Sequence, residues 1–230
     1  MIYIKQYGAK RTGTNYLRWL LEANFDNIII LTNILGWKHG CHVDKVDWSG
    51  KGWDHRRPKS SAALAKMVTP ELIKAYNKRL IRYSVLIKNP YAYYVSNVRL
   101  WPSKDTHKRA HELASTWNML YSNWTKIGET KWGLITRFED ILLDKKEALN
   151  DIADKFKLVH VDNISDTNRS LRALNESTIH KSQFIKKKKF NASFYLNKEY
   201  MNFIDKKTLE ILNKTLDKEL MKKFGYPFER

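Results

Sequence analysis

The stretch Gly8-Ala9-Lys10-Arg11-Thr12-Gly13-Thr14-Asn15 constrains this chain most, because two glycines five residues apart separate an extended-prone run from a helical one. Residues 2–6 (IYIKQ) are β-prone, whereas Leu17, Leu20, Leu21 and Phe25 recur at helical spacing, with Trp19 on the flank. Glycines let a backbone curl until successive N–H groups converge on an anion, and the helix that follows adds the positive end of its dipole. Strand, glycine-bearing loop and helix within the first 25 residues form the local frame of a phosphate-binding loop.

The loop matches the nucleotide-binding pattern G-x-x-x-x-G-K-[ST] only up to its second glycine. Thr14 stands at the lysine position and Asn15 at the position of the Mg²⁺-binding hydroxyl. Phosphoryl transfer from ATP relies on both groups to neutralise the β- and γ-phosphates, so an ordinary kinase or ATPase is disfavoured. A donor with less charge at the transferred group suits the loop better, with side-chain cations acting in place of metal. Arg11, with several fixed N–H donors, is placed to meet the bridging oxygen of such a donor.

Further along, strands and helices alternate. Residues 27–32 are β-prone, 70–78 read as a helix capped by Thr69, and 80–88 as a strand that Asn89-Pro90 ends before a helix through Val98. Ser103 is the expected cap of a long helix on which Leu113, Trp117, Leu120, Trp124 and Ile127 form one apolar stripe. Residues 133–137 are a strand candidate and 145–156 a helix. Residues 208–224 look like one terminal amphipathic helix with Gly225 just past its end. This pattern predicts an α/β fold with a P-loop-type parallel β-sheet flanked by helices, in a single domain over 1–230 with a helical C-terminal part. Its 43% hydrophobic content supplies a core for that domain.

A net charge of +18 calls for an anionic partner, whether a nucleotide, an acidic polymer or anionic lipid, although much of it can be solvated lysine. No nucleic-acid-binding motif is visible. Cys41 is the only cysteine, so an intrachain disulfide is excluded. No apolar run approaches the length of a membrane span, and the expectation is a soluble, cytoplasmic protein.

Three segments carry a family resemblance. Arg11-Thr12-Gly13-Thr14-Asn15 resembles the R-S-G-T-T loop of the sulfotransferases that use 3′-phosphoadenosine 5′-phosphosulfate (PAPS). KNPYAYYVSNVR, from Lys88 to Arg99, resembles the family's R-N-P-x-x-x-x-x-S, and TRFEDILLD, from Thr136 to Asp144, resembles its R-Y-E-D-L segment. The three stand in family order and cover about the first 145 residues. The resemblance implies that Arg11 contacts the transferred sulfate, that Thr12, Gly13, Thr14 and Asn15 hold the 5′-phosphate, and that Lys88 and Ser96 grip the 3′-phosphate. It also implies PAPS as donor, a hydroxyl-bearing acceptor, no nucleic acid and no metal. Lys88 departs from the family's arginine, Asn15 from its hydroxyl, and Phe138 from its usual tyrosine, where the ring is placed to flank the adenine or to pack. Phe184, Ile185, Lys186 and Lys187 faintly resemble a basic segment that closes over the 3′-phosphate, without its glycine.

Residues 36–60 form a long loop rich in Gly, Trp, His and charge, the expected acceptor loop. An acceptor hydroxyl benefits from a general base with a pKa near working pH. His39 is the first choice, with His42 and Asp44 as alternatives. Trp37, Trp48 and Trp53 offer flat apolar faces to an acceptor, and Arg56, Arg57 and Lys59 favour an anionic one. His39, Cys41, His42 and His55 also invite a metal reading, but HGCH lacks the spacing of a familiar zinc site. Three other functions stay open: a nucleotide- or polyanion-binding module without catalysis, a nucleic-acid-binding protein, and a divergent P-loop kinase.

Overall fold

In a computed structural model, which describes residues 1–41, 68–161 and 190–230, four strands form one wholly parallel sheet. They are β1 (Ile2–Gly8), β2 (Ile28–Leu31), β3 (Arg82–Ile87) and β4 (Gly133–Arg137), in the order β2-β1-β3-β4. Register is fixed at both centres: Ile4 faces Ile30 and Arg82, and Gly8 faces Leu86. Parallel strands are covered on both faces, so their side chains read as apolar in both directions. Ile4 and Leu86 point to one face and Tyr7, Val85 and Ile87 to the other.

Helices α1 (Thr14–Asn24), α5 (Phe138–Leu143) and α6 (Lys145–Phe156) supply the first layer through Leu17, Leu20, Leu21, Ile141, Ile152 and Phe156. On the opposite face lie α3 (Pro90–Val98) and α4 (Thr106–Gly128), with Trp117, Tyr121 and Trp124 fully buried. Behind them come α8 (Lys206–Thr215) and α9 (Lys218–Lys223). Helix α2 (Pro70–Asn77) packs Leu72 into a smaller cluster at the β2 edge, and α7 (Ser193–Leu196) with a 3₁₀ turn at Glu199–Phe203 lies near the carboxyl ends of the strands. No helix among the described residues is long and apolar enough to cross a membrane.

Local sequence accounts for most of these boundaries. Thr69 caps α2 through its hydroxyl, and Asn89 caps α3 with Pro90 in its first turn. Two expectations are corrected. The long helix α4 is capped by Asp105, whose carboxylate accepts from the Lys108 N–H, while Ser103 only donates to the Asp105 carbonyl. The terminal helix is two helices, because Leu216 adopts extended backbone (φ −64°, ψ 137°) and Asp217 caps α9. An apolar stripe hides this break, since Leu212 before it, Leu216 at it and Leu220 after it are all buried.

The connection from β1 runs outward to β2, and the chain then returns to the other side of β1 as β3. In open parallel sheets, ligands bind at such a reversal, outside the carboxyl ends of the strands. The fold therefore directs attention to the ends of β1 and β3, where Gly8 and Lys88 emerge.

Candidate functional site

At the end of β1 the backbone turns with no room for side chains. A Cβ on Gly8 would lie 2.5 Å from Thr14 Cγ2 and 3.0 Å from the Leu86 carbonyl, and one on Gly13 would lie 2.5 Å from the Phe138 ring. Gly13 has φ 90° and Arg11 has φ 67°, a left-handed conformation that costs an L-residue about 1–2 kcal/mol. The loop is braced from within and behind. The Thr12 hydroxyl donates to the Ala9 carbonyl at 2.7 Å, and the Tyr121 hydroxyl donates to the Leu86 carbonyl at 2.9 Å while accepting from the Ala9 N–H at 3.4 Å. Helix α1 then starts at Gly13 with neither a side-chain cap nor an acidic residue in its first turn. Its N–H groups are thus left to meet an anion.

Lys88 leaves the end of β3 beside this loop and is 1% exposed. Its ammonium donates to Ser96 Oγ at 2.9 Å and to the Arg11 carbonyl at 3.3 Å, and lies 4.0 Å from the centroid of the Tyr195 ring. The indole of Trp117 fixes the Lys88 carbonyl at 3.0 Å. Ser96 sits about two turns into α3, which puts its hydroxyl back over the strand end. Burial lowers the Lys88 pKa to about 7, Glu139 opposing that shift and Arg11 adding to it. Glu139 is held on the far side of the strand end, accepting from the Asn89 N–H at 3.0 Å and the Tyr226 hydroxyl at 2.9 Å.

The third component comes from the turn after β2. The Gly8 N–H donates to the Lys38 carbonyl at 3.0 Å, and His39 Nδ1 lies 2.5 Å from the Gly8 carbonyl, so Gly8 is tied to both residues. A carbonyl only accepts; Nδ1 therefore carries the proton and Nε2 keeps its lone pair. Burial lowers the His39 pKa to about 3, with Lys38, Lys10 and Lys5 adding to the shift and the bond to Gly8 opposing it. The Lys38 ammonium donates to Asn15 Oδ1 at 2.5 Å, and burial with the charge of Arg18 lowers its pKa to about 8. Asn15, expected to hold a phosphate, accepts from this lysine at the first turn of α1. Among the described residues, Lys5, Lys38 and Lys88 form no ion pair with a carboxylate.

Arg11, Thr12, Gly13, Thr14, Asn15, Lys38, His39, Lys88 and Ser96 are linked through these contacts around the ends of β1 and β3. Thr12 and Thr14 are buried, and the Thr14 carbonyl accepts from the Gln6 amide at 2.8 Å. Two groups join Phe138 and Trp37, which the sequence reading named, to residues that it missed. Tyr16, Phe190 and Tyr195 form a stacked row, with centroids 6.2 Å and 5.8 Å apart, and Phe138 meets Tyr195 edge-on at 5.3 Å. Lys10 lies 5.1 Å from the Trp37 ring and 5.9 Å from the Trp101 ring, while Trp37 packs edge-on against His39 at 5.1 Å. Tyr195 and Trp101 carry no local signal; only tertiary folding brings them here. His42, Asp44, Trp48, Trp53, His55, Arg56, Arg57, Lys59 and residues 184–189 lie outside the described residues. Among the described residues, no three His, Cys, Asp or Glu side chains group as metal ligands.

No protein-family profile matches the chain, and no curated protein sequence matches it. Solved structures do. The sulfotransferase domain of the Synechococcus PCC 7002 olefin synthase aligns with a TM-score of 0.57 at 16% identity, over 99% of this chain and 95% of that one. A sulfotransferase domain from the curacin biosynthetic pathway aligns over 100% of this chain and 98% of that one, with a TM-score of 0.48 and 12% identity. The chain has a sulfotransferase-like α/β fold.

Proposed function

We propose that this chain transfers the sulfuryl group of PAPS to an acceptor hydroxyl by in-line displacement, without a metal. One observation carries the reading: Lys38 and Lys88, both buried and without an ion-paired carboxylate among the described residues, bracket a glycine loop and an uncapped helix start at the fold's ligand position. Buried cations are costly unless paired, and a polyanion pairs them all at once. The Lys88–Ser96 pair adds a second anion site beside the 5′-phosphate cradle, as a 3′-phosphate requires. The Phe138, Phe190 and Tyr195 rings next to it suit an adenine.

In this reading the α1 N-terminus and the loop N–H groups hold the 5′-phosphate. Arg11 stabilises charge on the bridging oxygen as the S–O bond to the 5′-phosphate breaks. His39 Nε2 accepts the acceptor's hydroxyl proton as the new S–O bond forms. The donor supplies the sulfur electrophile and leaves as adenosine 3′,5′-bisphosphate. Its negative charge also raises the basicity of His39, since three neighbouring lysines lower it in the free protein. Trp37, Lys10 and Trp101 form the wall on the acceptor side and suit an acceptor with a flat face and an anionic group.

The test is transfer of radiolabelled sulfate from PAPS across panels of sugars, phenols, lipids and peptides, with and without EDTA. Wild type is expected to label at least one acceptor in EDTA. Arg11→Ala and His39→Ala are each expected to lose about 10²-fold or more in turnover while still binding the bisphosphate. Normal turnover in Arg11→Ala contradicts its role at the leaving oxygen; normal turnover in His39→Ala moves the base to His42 or Asp44.

A further inference from the structure

The turn that delivers His39 contains two consecutive residues in left-handed backbone, Leu35 at φ 63° and Gly36 at φ 92°. For leucine this conformation costs about 1–2 kcal/mol, so it persists only where its surroundings over-determine it. Both residues are held by side chains from one face of β1. The Tyr7 hydroxyl donates to the Leu35 carbonyl at 3.1 Å. The Lys5 ammonium donates to the Gly36 carbonyl at 2.6 Å and to the Thr32 carbonyl at 3.1 Å. Thr32 in turn accepts from the Lys38 N–H at 2.8 Å, which closes the turn just before His39.

Lys5 is an expensive residue in this position. It is fully buried in a central strand and forms no ion pair among the described residues; its ammonium meets two carbonyls and lies 4.8 Å from the centroid of the Tyr7 ring, with the Lys38 charge near enough to repel it. A buried ammonium costs several kcal/mol that an apolar side chain of similar length does not. Two of its N–H donors meet the Gly36 and Thr32 carbonyls, which lie outside any helix or strand. Tyr7 and Lys5 alternate with Gln6 along β1, so the strand that ends in the phosphate loop also reaches the turn bearing His39.

We infer that Lys5 and Tyr7 are positioning residues: by three hydrogen bonds they fix the left-handed turn at Leu35-Gly36 and thereby present His39 to the Gly8 carbonyl with Nε2 unprotonated. The inference rests on His39 being the base. It goes further by coupling the base to the phosphate loop through a single rigid strand, so that donor cradle and proton acceptor keep one relative geometry. Among the described residues, the basic groups that act on the imidazole are Lys38, Lys10 and Lys5, with the Gly8 carbonyl as the opposing dipole.

The experiment is heteronuclear NMR of the histidine rings in wild type, Tyr7→Phe and Lys5→Met, with His39→Gln for assignment. Thermal melts and calorimetric titration of adenosine 3′,5′-bisphosphate accompany each variant. Wild type is expected to show a single His39 tautomer with the proton on Nδ1. Tyr7→Phe, which removes one oxygen and keeps the ring, is expected to fold and to give mixed tautomers. Its His39 midpoint is expected to rise by about one pH unit or more, a tenfold gain in proton affinity. Lys5→Met, where it folds, is expected to show the larger rise, since two of the three bonds that hold the turn are lost together with the effect of Lys5 on the imidazole. Bisphosphate affinity is expected to stay within about threefold of wild type, less than one direct hydrogen bond supplies. A Tyr7→Phe protein with a lower melting point but an unchanged His39 tautomer and midpoint overturns the positioning role. Failure of wild type to bind the bisphosphate defeats the donor assignment instead, and the NMR result then still decides whether the brace exists.

Discussion

At Lys88 and Lys38 the electrostatics of the site can be read as protonation. Burial lowers their pKa values to about 7 and about 8. An unfolded lysine titrates near 10.4. Between those values the unfolded chain binds more protons than the folded one, so these two lysines make the free protein more stable as pH rises from about 7 to about 10. A bound polyanion reverses this by pulling protons back onto both ammonium groups. Adenosine 3′,5′-bisphosphate binding at pH 8.5 is therefore expected to take up protons, measured as a dependence of calorimetric enthalpy on buffer ionisation, with uptake vanishing near pH 6. Binding at pH 8.5 without proton uptake would contradict an anion contact at these lysines. The family resemblance pointed to Lys88 and Ser96 together, and the two, which belong to one strand-to-helix segment, do hydrogen-bond in the fold. The sequence did not reveal Lys38 as the partner of Asn15, or Tyr195 over Lys88, because those pairs are separated by 23 and 107 positions and meet only in the folded chain.

At the scale of elements, the β1–loop–α1 unit was legible because each part announces itself locally: an extended run, glycines at fixed spacing, then helical periodicity. The caps at Thr69 and Asn89 were legible for the same reason, each standing immediately before a proline. The break at Leu216 and Asp217 was not, since burial of leucines on both sides of it preserves the helical period. Gly13 shows how tightly the loop unit is built. Gly13→Ala places a methyl group at φ 90° and within 2.5 Å of the Phe138 ring. The substitution is expected to destabilise the protein by about 2 kcal/mol or more, from backbone strain and displacement of the ring. Chemical denaturation measures the loss, and bisphosphate affinity is expected to fall with it. A fully stable Gly13→Ala protein would mean that the loop relaxes freely and is not the preformed cradle described.

Over the whole molecule the net charge is +18, and the basic residues among those described stand in two kinds of place. Some are ordinary surface, as at Lys222 and Lys223 in the last turn of α9, where Lys223 pairs with Glu129. Others converge on the reversal point of the sheet, where Lys38, Lys88 and Arg11 stand around the ends of β1 and β3, with Lys5 buried within β1. That convergence is a property of topology, which composition alone does not reveal. In the proposed reading the partner there is a nucleotide with separated phosphates. Thermal-shift titration tests this most directly, comparing adenosine 3′,5′-bisphosphate, adenosine 5′-monophosphate and ATP with Mg²⁺ on wild type and Lys88→Met. A ligand at about 100 times its Kd stabilises the native state by about 2.7 kcal/mol, several degrees for a chain of this size. Wild type is expected to be stabilised most by the bisphosphate, and Lys88→Met to lose its preference over the monophosphate. Stabilisation of wild type by ATP with Mg²⁺ alone would contradict the account.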